Sequence, residues 1–178
     1  MKKISIIIPA YNEEEALPAL MERITKFADD TKDYDFEFLF VNDGSKDRTI
    51  ELIKEYREKD KRVCYVDFAR NFGKETAMKA GIDYATGDAV VFLDADLQDP
   101  PEMIKYWEEG YDDVYAQRKS RKGETWMKKF TSKMYYKILQ DLTNVPIQKD
   151  TGDFRLLDRR CVNALKVMNE SQRNSKSM

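Results

Sequence analysis

Four short apolar runs, each followed by apolar residues at helical spacing, constrain the fold of this chain most. Ile4 to Ile8 is β-rich and ends at Pro9, after which Leu17, Leu20, Met21, Ile24, Phe27 and Ala28 recur with helical periodicity. Phe36 to Val41 repeats the pattern, followed by a turn at Asn42-Asp-Gly-Ser45 and a helix carrying Ile50, Ile53 and Tyr56. Val63 to Phe68 is the third run, with a helix from Gly73 to Ala85 that Gly87 stops, and Ala89 to Leu93 is the fourth. Runs that stay apolar, instead of alternating with polar residues, fit strands covered on both faces. The pattern therefore predicts an α/β fold with a mostly parallel sheet and helices on both sides.

Beyond Gly110 the regularity weakens. Asp113 to Gln117 and Phe154 to Leu157 read as strands, Trp126 to Leu142 as a long amphipathic helix and Arg159 to Met168 as a last helix. The polar stretch 169–178 is expected to fray, which leaves one domain over 1–168. A chain of 178 residues is long enough for one full core.

Composition removes several chemistries. With 31 Lys+Arg against 33 Asp+Glu, the net charge of −2 gives no general case for binding nucleic acid. Histidine is absent, which excludes His-dependent triads and the usual zinc ligands, so proton transfer falls to carboxylates or to the substrate. Cys64 and Cys161 are too few for a disulfide framework and read as reduced core residues. Neither a signal-peptide core nor an apolar run of the ~18 residues a membrane span needs is visible. The expectation is a cytoplasmic protein, at the cytoplasmic face of the membrane.

The chemistry-bearing residues fall where the predicted strands end. After the fourth strand comes Asp94-Ala-Asp-Leu-Gln-Asp-Pro-Pro-Glu102, in which Pro100, Pro101, Asp99 and Glu102 signal a helix start. Asp94, Asp96 and Gln98 thus fall on the loop at a strand's carboxyl end, where open α/β sheets bind ligands. Hard oxygen ligands there suit Mg²⁺ or Mn²⁺ shared with a substrate phosphate. An Asp-x-Asp is common on surface loops, so the weight rests on its company. Pro9-Ala-Tyr-Asn-Glu-Glu14 closes the first strand, with Tyr11 able to stack on a base; the alternative is that Asn12 caps a helix and the acids suit its dipole. Asp43 after the second strand can accept from a uracil or guanine ring N–H, while Gly44 lets backbone approach the ligand; the alternative is a capped glycine turn. Arg70 and Lys74 flank Gly73 after the third strand and suit a diphosphate, against a solvated turn. No Gly-x-Gly-x-x-Gly or P-loop motif is present, which disfavours a Rossmann dehydrogenase or a P-loop nucleotidase.

Ile6-Ile-Ile-Pro-Ala-Tyr-Asn-Glu13, Val41-Asn-Asp-Gly-Ser45, Ala69-Arg-Asn-Phe-Gly-Lys74 and the Asp94 to Pro101 segment together resemble family 2 glycosyltransferases of the GT-A fold. Asp-Leu-Gln-Asp-Pro-Pro and Asp150-Thr-Gly-Asp-Phe-Arg-Leu156 point to the polyprenyl-phosphate subgroup, which includes dolichol-phosphate mannose synthase and the bactoprenol glucosyltransferases. The resemblance runs from about Ile4 to Arg160. It implies that Asp94, Asp96 and Gln98 hold a divalent metal on the donor diphosphate. Pro9, Tyr11, Glu13 and Asp43 would line the nucleoside site, with a UDP-sugar of the glucose or N-acetylglucosamine type favoured as donor and a GDP-sugar left open. It implies transfer of a hexose to a polyprenyl phosphate with inversion, Asp153 serving as base or acceptor-orienting carboxylate and Arg155 assisting on a phosphate. The chain departs from the family at Asn42, where Asp is usual, and it contains none of the membrane helices into which relatives continue.

Arg118 to Lys137 carries eight basic residues and one acid, Glu124. It reads either as a solvated helix face or as a landing site on an anionic membrane surface, with Trp126, Phe130 and Tyr135 at the interface. From the resemblance, Arg118, Lys129 and Ser132 are the candidates for the acceptor phosphate. Two other readings stay open: a GT-A transferase acting on a water-soluble acceptor in polysaccharide or cell-wall glycan synthesis, and a non-catalytic nucleotide–metal binding module.

Overall fold

The computed structural model describes residues 1–93, 101–117 and 151–167, with backbone only at 101–102, 116–117 and 151–154. Asp94, Asp96, Gln98, Arg118, Lys129, Ser132, the helix expected over Trp126 to Leu142 and the tail at 169–178 lie outside the described residues. The strands are β1 (Lys2–Ala10), β2 (Tyr34–Asn42), β3 (Val63–Asp67), β4 (Ala89–Phe92), β5 (Asp113–Gln117) and β6 (Thr151–Asp158). The helices are α1 (Leu17–Asp30), α2 (Thr49–Lys59), α3 (Lys74–Tyr84), α4 (Pro101–Glu108) and α5 (Arg159–Val167). They form one sheet in the order β3-β2-β1-β4-β6-β5.

The first four strands pair in parallel, as the apolar runs predict. The runs are apolar throughout because alternate residues serve two cores. Ile4, Ile6, Ile8, Phe36, Phe38 and Phe40 pack with Leu17, Ile24, Ile53, Met103 and Trp107 from α1, α2 and α4. Ile7, Leu39, Val41 and Val90 pack with Ala77 and Ile82 of α3 and Val162 of α5. Each fully buried side chain of this size is worth about 1.5–3 kcal/mol relative to exposure, so the two faces together dominate the fold's stability. At Gly81 a Cβ would lie 2.3 Å from Ile7 Cγ2, which explains how α3 lies so close to β1.

Two details differ from the sequence pattern. β1 continues through Pro9 to Ala10, with Pro9 opposite Val41. A proline fits there because the pairing of β1 with β4 has already ended at Ile7 opposite Phe92, so no ladder bond on that side needs its missing N–H. The second difference is β6, which enters antiparallel between β4 and β5. Hydrophobic periodicity carries no information on strand order. Being antiparallel, β6 begins at the edge where the parallel strands end. Gln117, the last residue of β5, pairs there with Thr151, the first of β6.

Candidate functional site

The carboxyl ends of β1, β2 and β3 are neighbours at one sheet edge, and their loops are fastened to one another by side chains. The loop after β1 is tied to the loop after β2 at five points. Ser45 Oγ accepts the Asn12 N–H at 2.9 Å, and Asn12 Oδ1 accepts the Lys46 N–H at 2.8 Å. Thr49 Oγ1 accepts from the Glu13 N–H at 2.8 Å, Asp47 Oδ2 from Glu14 N–H at 3.2 Å, and Glu14 Oε2 from Arg48 N–H at 2.9 Å. Burial pushes the Asp47 carboxyl up, but hydrogen bonds from Thr49 and the Glu14 N–H outweigh it and hold the group below its ordinary range.

Asn12 therefore does not cap α1, whose N-terminal flank is Ala16 with no side-chain cap. It sits instead at φ 55, in the left-handed region that Asn tolerates better than most residues, and its amide crosses to the next loop. Glu14 is likewise a loop tie and not a dipole partner for the helix. The sequence carries the αL-tolerant Asn, but nothing in its spacing marks Ser45, Asp47 or Thr49 as its neighbours.

The loops after β2 and β3 are joined through Asp43. This side chain is buried, with 3% exposure, and its two oxygens accept the N–H groups of Phe72 at 2.7 Å and Gly73 at 2.9 Å. One lone pair remains on each oxygen for a further donor. Gly44, at φ +66, has no space for a side chain: a Cβ would lie 2.3 Å from the carbonyl carbon of Arg70. The close approach that the glycine permits is thus by the backbone of Arg70 and Asn71, whereas the sequence suggested a ligand.

Asn42, 2% exposed, donates from Nδ2 to Asp67 Oδ1 at 2.7 Å and accepts from the hydroxyl and N–H of Ser45 on Oδ1. Sequence reasoning missed Asp67, since its role depends on the β2–β3 register that sets Asn42 opposite it. The loops at these strand ends carry exposed aromatic and cationic side chains. Tyr11 is 42% exposed and Phe72 48%, and the Arg70 guanidinium stacks on the Phe72 ring at 4.5 Å. Pro9 lies in β1, Glu13 in the following loop and Lys74 at the first turn of α3. The six residues expected at the donor nucleotide thus fall on the ends of three adjacent strands and the loops and helix start beyond them.

The other half of the edge is built by β4 and β6. Phe92 pairs with Arg155, so Asp153, two residues earlier in antiparallel β6, falls at the carboxyl end of β4, from which the chain continues into residue 94. The Arg155 guanidinium is engaged by Asp113 of β5 through Nε at 2.8 Å and Nη2 at 2.7 Å, and among the described residues no hydrogen bond takes up Nη1. Among the described residues no helix is long and apolar enough to cross a membrane.

The model of the family described as "Glycosyl transferase family 2" matches residues 5–165. The chain belongs to glycosyl transferase family 2. This family 2 chain is 51% identical over 170 residues to an uncharacterized glycosyltransferase of Bacillus subtilis, covering 93% of itself and 52% of that protein. It is 42% identical over 172 residues to a prophage bactoprenol glucosyl transferase homolog of Escherichia coli, covering 94% of itself and 56% of that protein. It therefore spans about half the length of these curated relatives. A mannosyltransferase of Pyrobaculum calidifontis, solved with GDP-Man and Mn²⁺, superposes with a TM-score of 0.63 at 20% identity, over 92% of this chain and 46% of that one. TarS 1-349 of S. aureus gives 0.61 at 17% identity, over 98% and 52%. These likenesses establish the GT-A fold that the motifs led us to expect.

Proposed function

We propose that this family 2 chain is the catalytic domain of a metal-dependent, inverting transferase that moves a hexose from a nucleotide diphosphate sugar to a polyprenyl phosphate. One observation carries the donor side: three adjacent parallel strands end in loops fastened to one another, those after β2 and β3 through the buried Asp43, with Tyr11, Arg70 and Phe72 exposed on them. Such an edge offers stacking faces and a carboxylate with spare acceptor capacity to a base, and cations to a diphosphate. The likeness to bactoprenol glucosyl transferases supports the acceptor and a glucosyl group as the hexose.

Asp94, Asp96 and Gln98 offer two carboxylates and an amide oxygen immediately after Leu93 of the β4 edge, a donor set suited to Mg²⁺ or Mn²⁺. When bound, the cation neutralises charge on the departing diphosphate. Arg70 and Lys74 add positive charge from the β3 side. The acceptor phosphate has a second pKa of ~6, so at neutral pH it is already a nucleophile and needs no histidine. Its oxygen attacks the anomeric carbon as the bond to the diphosphate breaks, and the nucleoside diphosphate leaves. Asp153 orients the acceptor or takes its residual proton, Arg155 Nη1 meets a phosphate oxygen, and Arg118, Lys129 and Ser132 hold the acceptor beside an anionic membrane surface.

The test is thermal unfolding of the chain with UDP-glucose, UDP-GlcNAc and GDP-mannose, with and without Mn²⁺, together with transfer to undecaprenyl phosphate in detergent. A metal-dependent rise in melting temperature with a UDP-sugar, absent in Asp96→Ala, is expected. Transfer to a water-soluble hydroxyl acceptor in place of the lipid phosphate would favour a glycan-building enzyme, and binding without any turnover a non-catalytic module.

A further inference from the structure

We infer that Asn42 is a positioning residue for the nucleoside end of the donor site, matched in charge to Asp67, so that an aspartate at this position would disable the site in this chain. The inference rests on the donor reading above and concerns how that site is held.

Asn42 stands between an acidic group and a hydroxyl. Its amide nitrogen is 2.7 Å from Asp67 Oδ1, and its amide oxygen takes the hydroxyl proton and the N–H of Ser45. Asn satisfies both sides, because its amide presents a donor on one atom and an acceptor on the other without carrying charge. The hydroxyl so oriented turns a lone pair to the N–H of Asn12, the residue after Tyr11 and the one non-glycine residue with positive φ among the described residues. A left-handed residue costs energy unless its surroundings fix it. The relay Asp67–Asn42–Ser45–Asn12 therefore runs from the end of β3, through β2, to the backbone that carries Tyr11.

An aspartate at 42 would place one carboxylate oxygen against another at the 2.7 Å now spanned by a hydrogen bond. Two carboxylates in that position cannot both ionise without large cost, and one retains a proton into the neutral range or the pair moves apart. Moving apart releases Ser45 and with it the Tyr11 loop. Asp67 is exposed at the end of an edge strand, so the pair can separate without unfolding the core. The other ionisable groups on these loops are Tyr11, Glu13, Glu14, Glu15, Asp43, Lys46, Asp47, Arg48, Arg70 and, at the start of α3, Lys74. Glu14 and Asp47 are tied to each other's loops, Asp43 to Phe72 and Gly73, and Arg70 stacks on Phe72. All of these groups are common to wild type and variants, so affinity ratios isolate the pair.

The experiment measures UDP and UDP-glucose affinity with Mn²⁺ for wild type, Asn42→Asp, Asp67→Asn and the double variant between pH 5.5 and 8.5. Asn42→Asp is expected to weaken UDP about tenfold at pH 8, in the range of coupling between contacting residues, and less at pH 5.5 where the pair holds a proton. Asp67→Asn alone should change affinity less than about threefold, and in the double variant it should restore most of the loss and remove the pH dependence. If Asn42→Asp binds like wild type at pH 8, or if Asp67→Asn does not rescue it, the inference is overturned. Should Asn42→Asp not fold, Ser45→Ala cuts the same relay without adding charge. It should weaken UDP several-fold independently of pH, and unchanged affinity would equally overturn the inference. Failure of the wild type to bind any nucleotide sugar would instead remove the donor reading. The charge match could then still be read from the stability of the four proteins across pH.

Discussion

The Asp43 carboxylate at the end of β2 holds the N–H groups of Phe72 and Gly73, which open α3 about thirty residues later, at 2.7 and 2.9 Å. One buried side chain thus ties the loop after β3 to the end of β2 and still has acceptor capacity to spare for a ligand.

Asp43→Asn keeps the shape but turns an NH₂ toward one of two N–H donors. It is expected to cost about 2 kcal/mol, the penalty of leaving a buried donor unpaired. UDP affinity should fall by more than the stability loss implies, because the ligand loses an acceptor as well. Urea unfolding beside UDP titration checks both, and an Asp43→Asn protein of wild-type stability would refute the tie.

Gly44→Ala combines a left-handed backbone with a Cβ 2.3 Å from the carbonyl carbon of Arg70. The backbone strain alone costs about 1–2 kcal/mol, and the overlap forces the Arg70 loop away. Gly110, at φ +100 with nothing within 4 Å of a Cβ, is the control. Gly110→Ala should destabilise the fold while leaving UDP affinity unchanged, whereas Gly44→Ala should lose both. Equal effects of the two on UDP binding would show that the Gly44 contact does not shape the site.

Arg155 and Asp113 form a two-point ion pair across β6 and β5. Both are partly exposed, so the pair itself is worth about 1 kcal/mol or less. If Arg155 meets a phosphate, Arg155→Lys should lower kcat for transfer far more than Asp113→Asn, which removes the partner and keeps the guanidinium. Similar kcat losses in both variants would reduce Arg155 to a brace between strands.

Glu37 is buried between β1 and the loop before β4. Burial pushes its carboxyl up, but hydrogen bonds from the Ser5 hydroxyl and the Thr86 N–H and hydroxyl, with Lys3 Nζ alongside, hold it below its ordinary value. A carboxyl depressed in the folded state contributes stability that is complete above its unfolded pKa of ~4.3 and lost as pH falls through the folded value. Glu37→Gln should therefore be less stable at pH 7 and show a flatter decline below pH ~4.5, measured by urea midpoints from pH 7 to 3. Parallel acid limbs for the two proteins would mean that Glu37 does not gain from ionisation.

The four parallel strands and their helices were legible because each core face left its own apolar residues in the run: Ile6 and Ile7, Phe38 and Leu39, face opposite ways and both are needed. The polar residues at the strand ends were legible too, as turn chemistry after apolar runs. What Asn12, Glu14 and Gly44 do was not, because local rules offered each a sufficient reason nearby. Asn and Glu near a helix start read as capping, and Gly in a turn reads as a turn residue. Their partners lie in neighbouring loops more than twenty residues away, and only the strand register brings them together. The same holds for Asp67, which no motif includes.

The pairing of Gln117 with Thr151 has a consequence for how such proteins diversify. The interval 118–150 is thus flanked by two paired residues at the edge where the parallel strands end. Any peptide inserted there starts with its ends already closed, and doubling its length costs only about 0.6 kcal/mol in loop entropy. β1, β2 and β3, whose loops are fastened to one another, take no part in that closure. Recombination or engineering can therefore exchange this interval as a cassette without rebuilding β1, β2 and β3 or the ties between their loops.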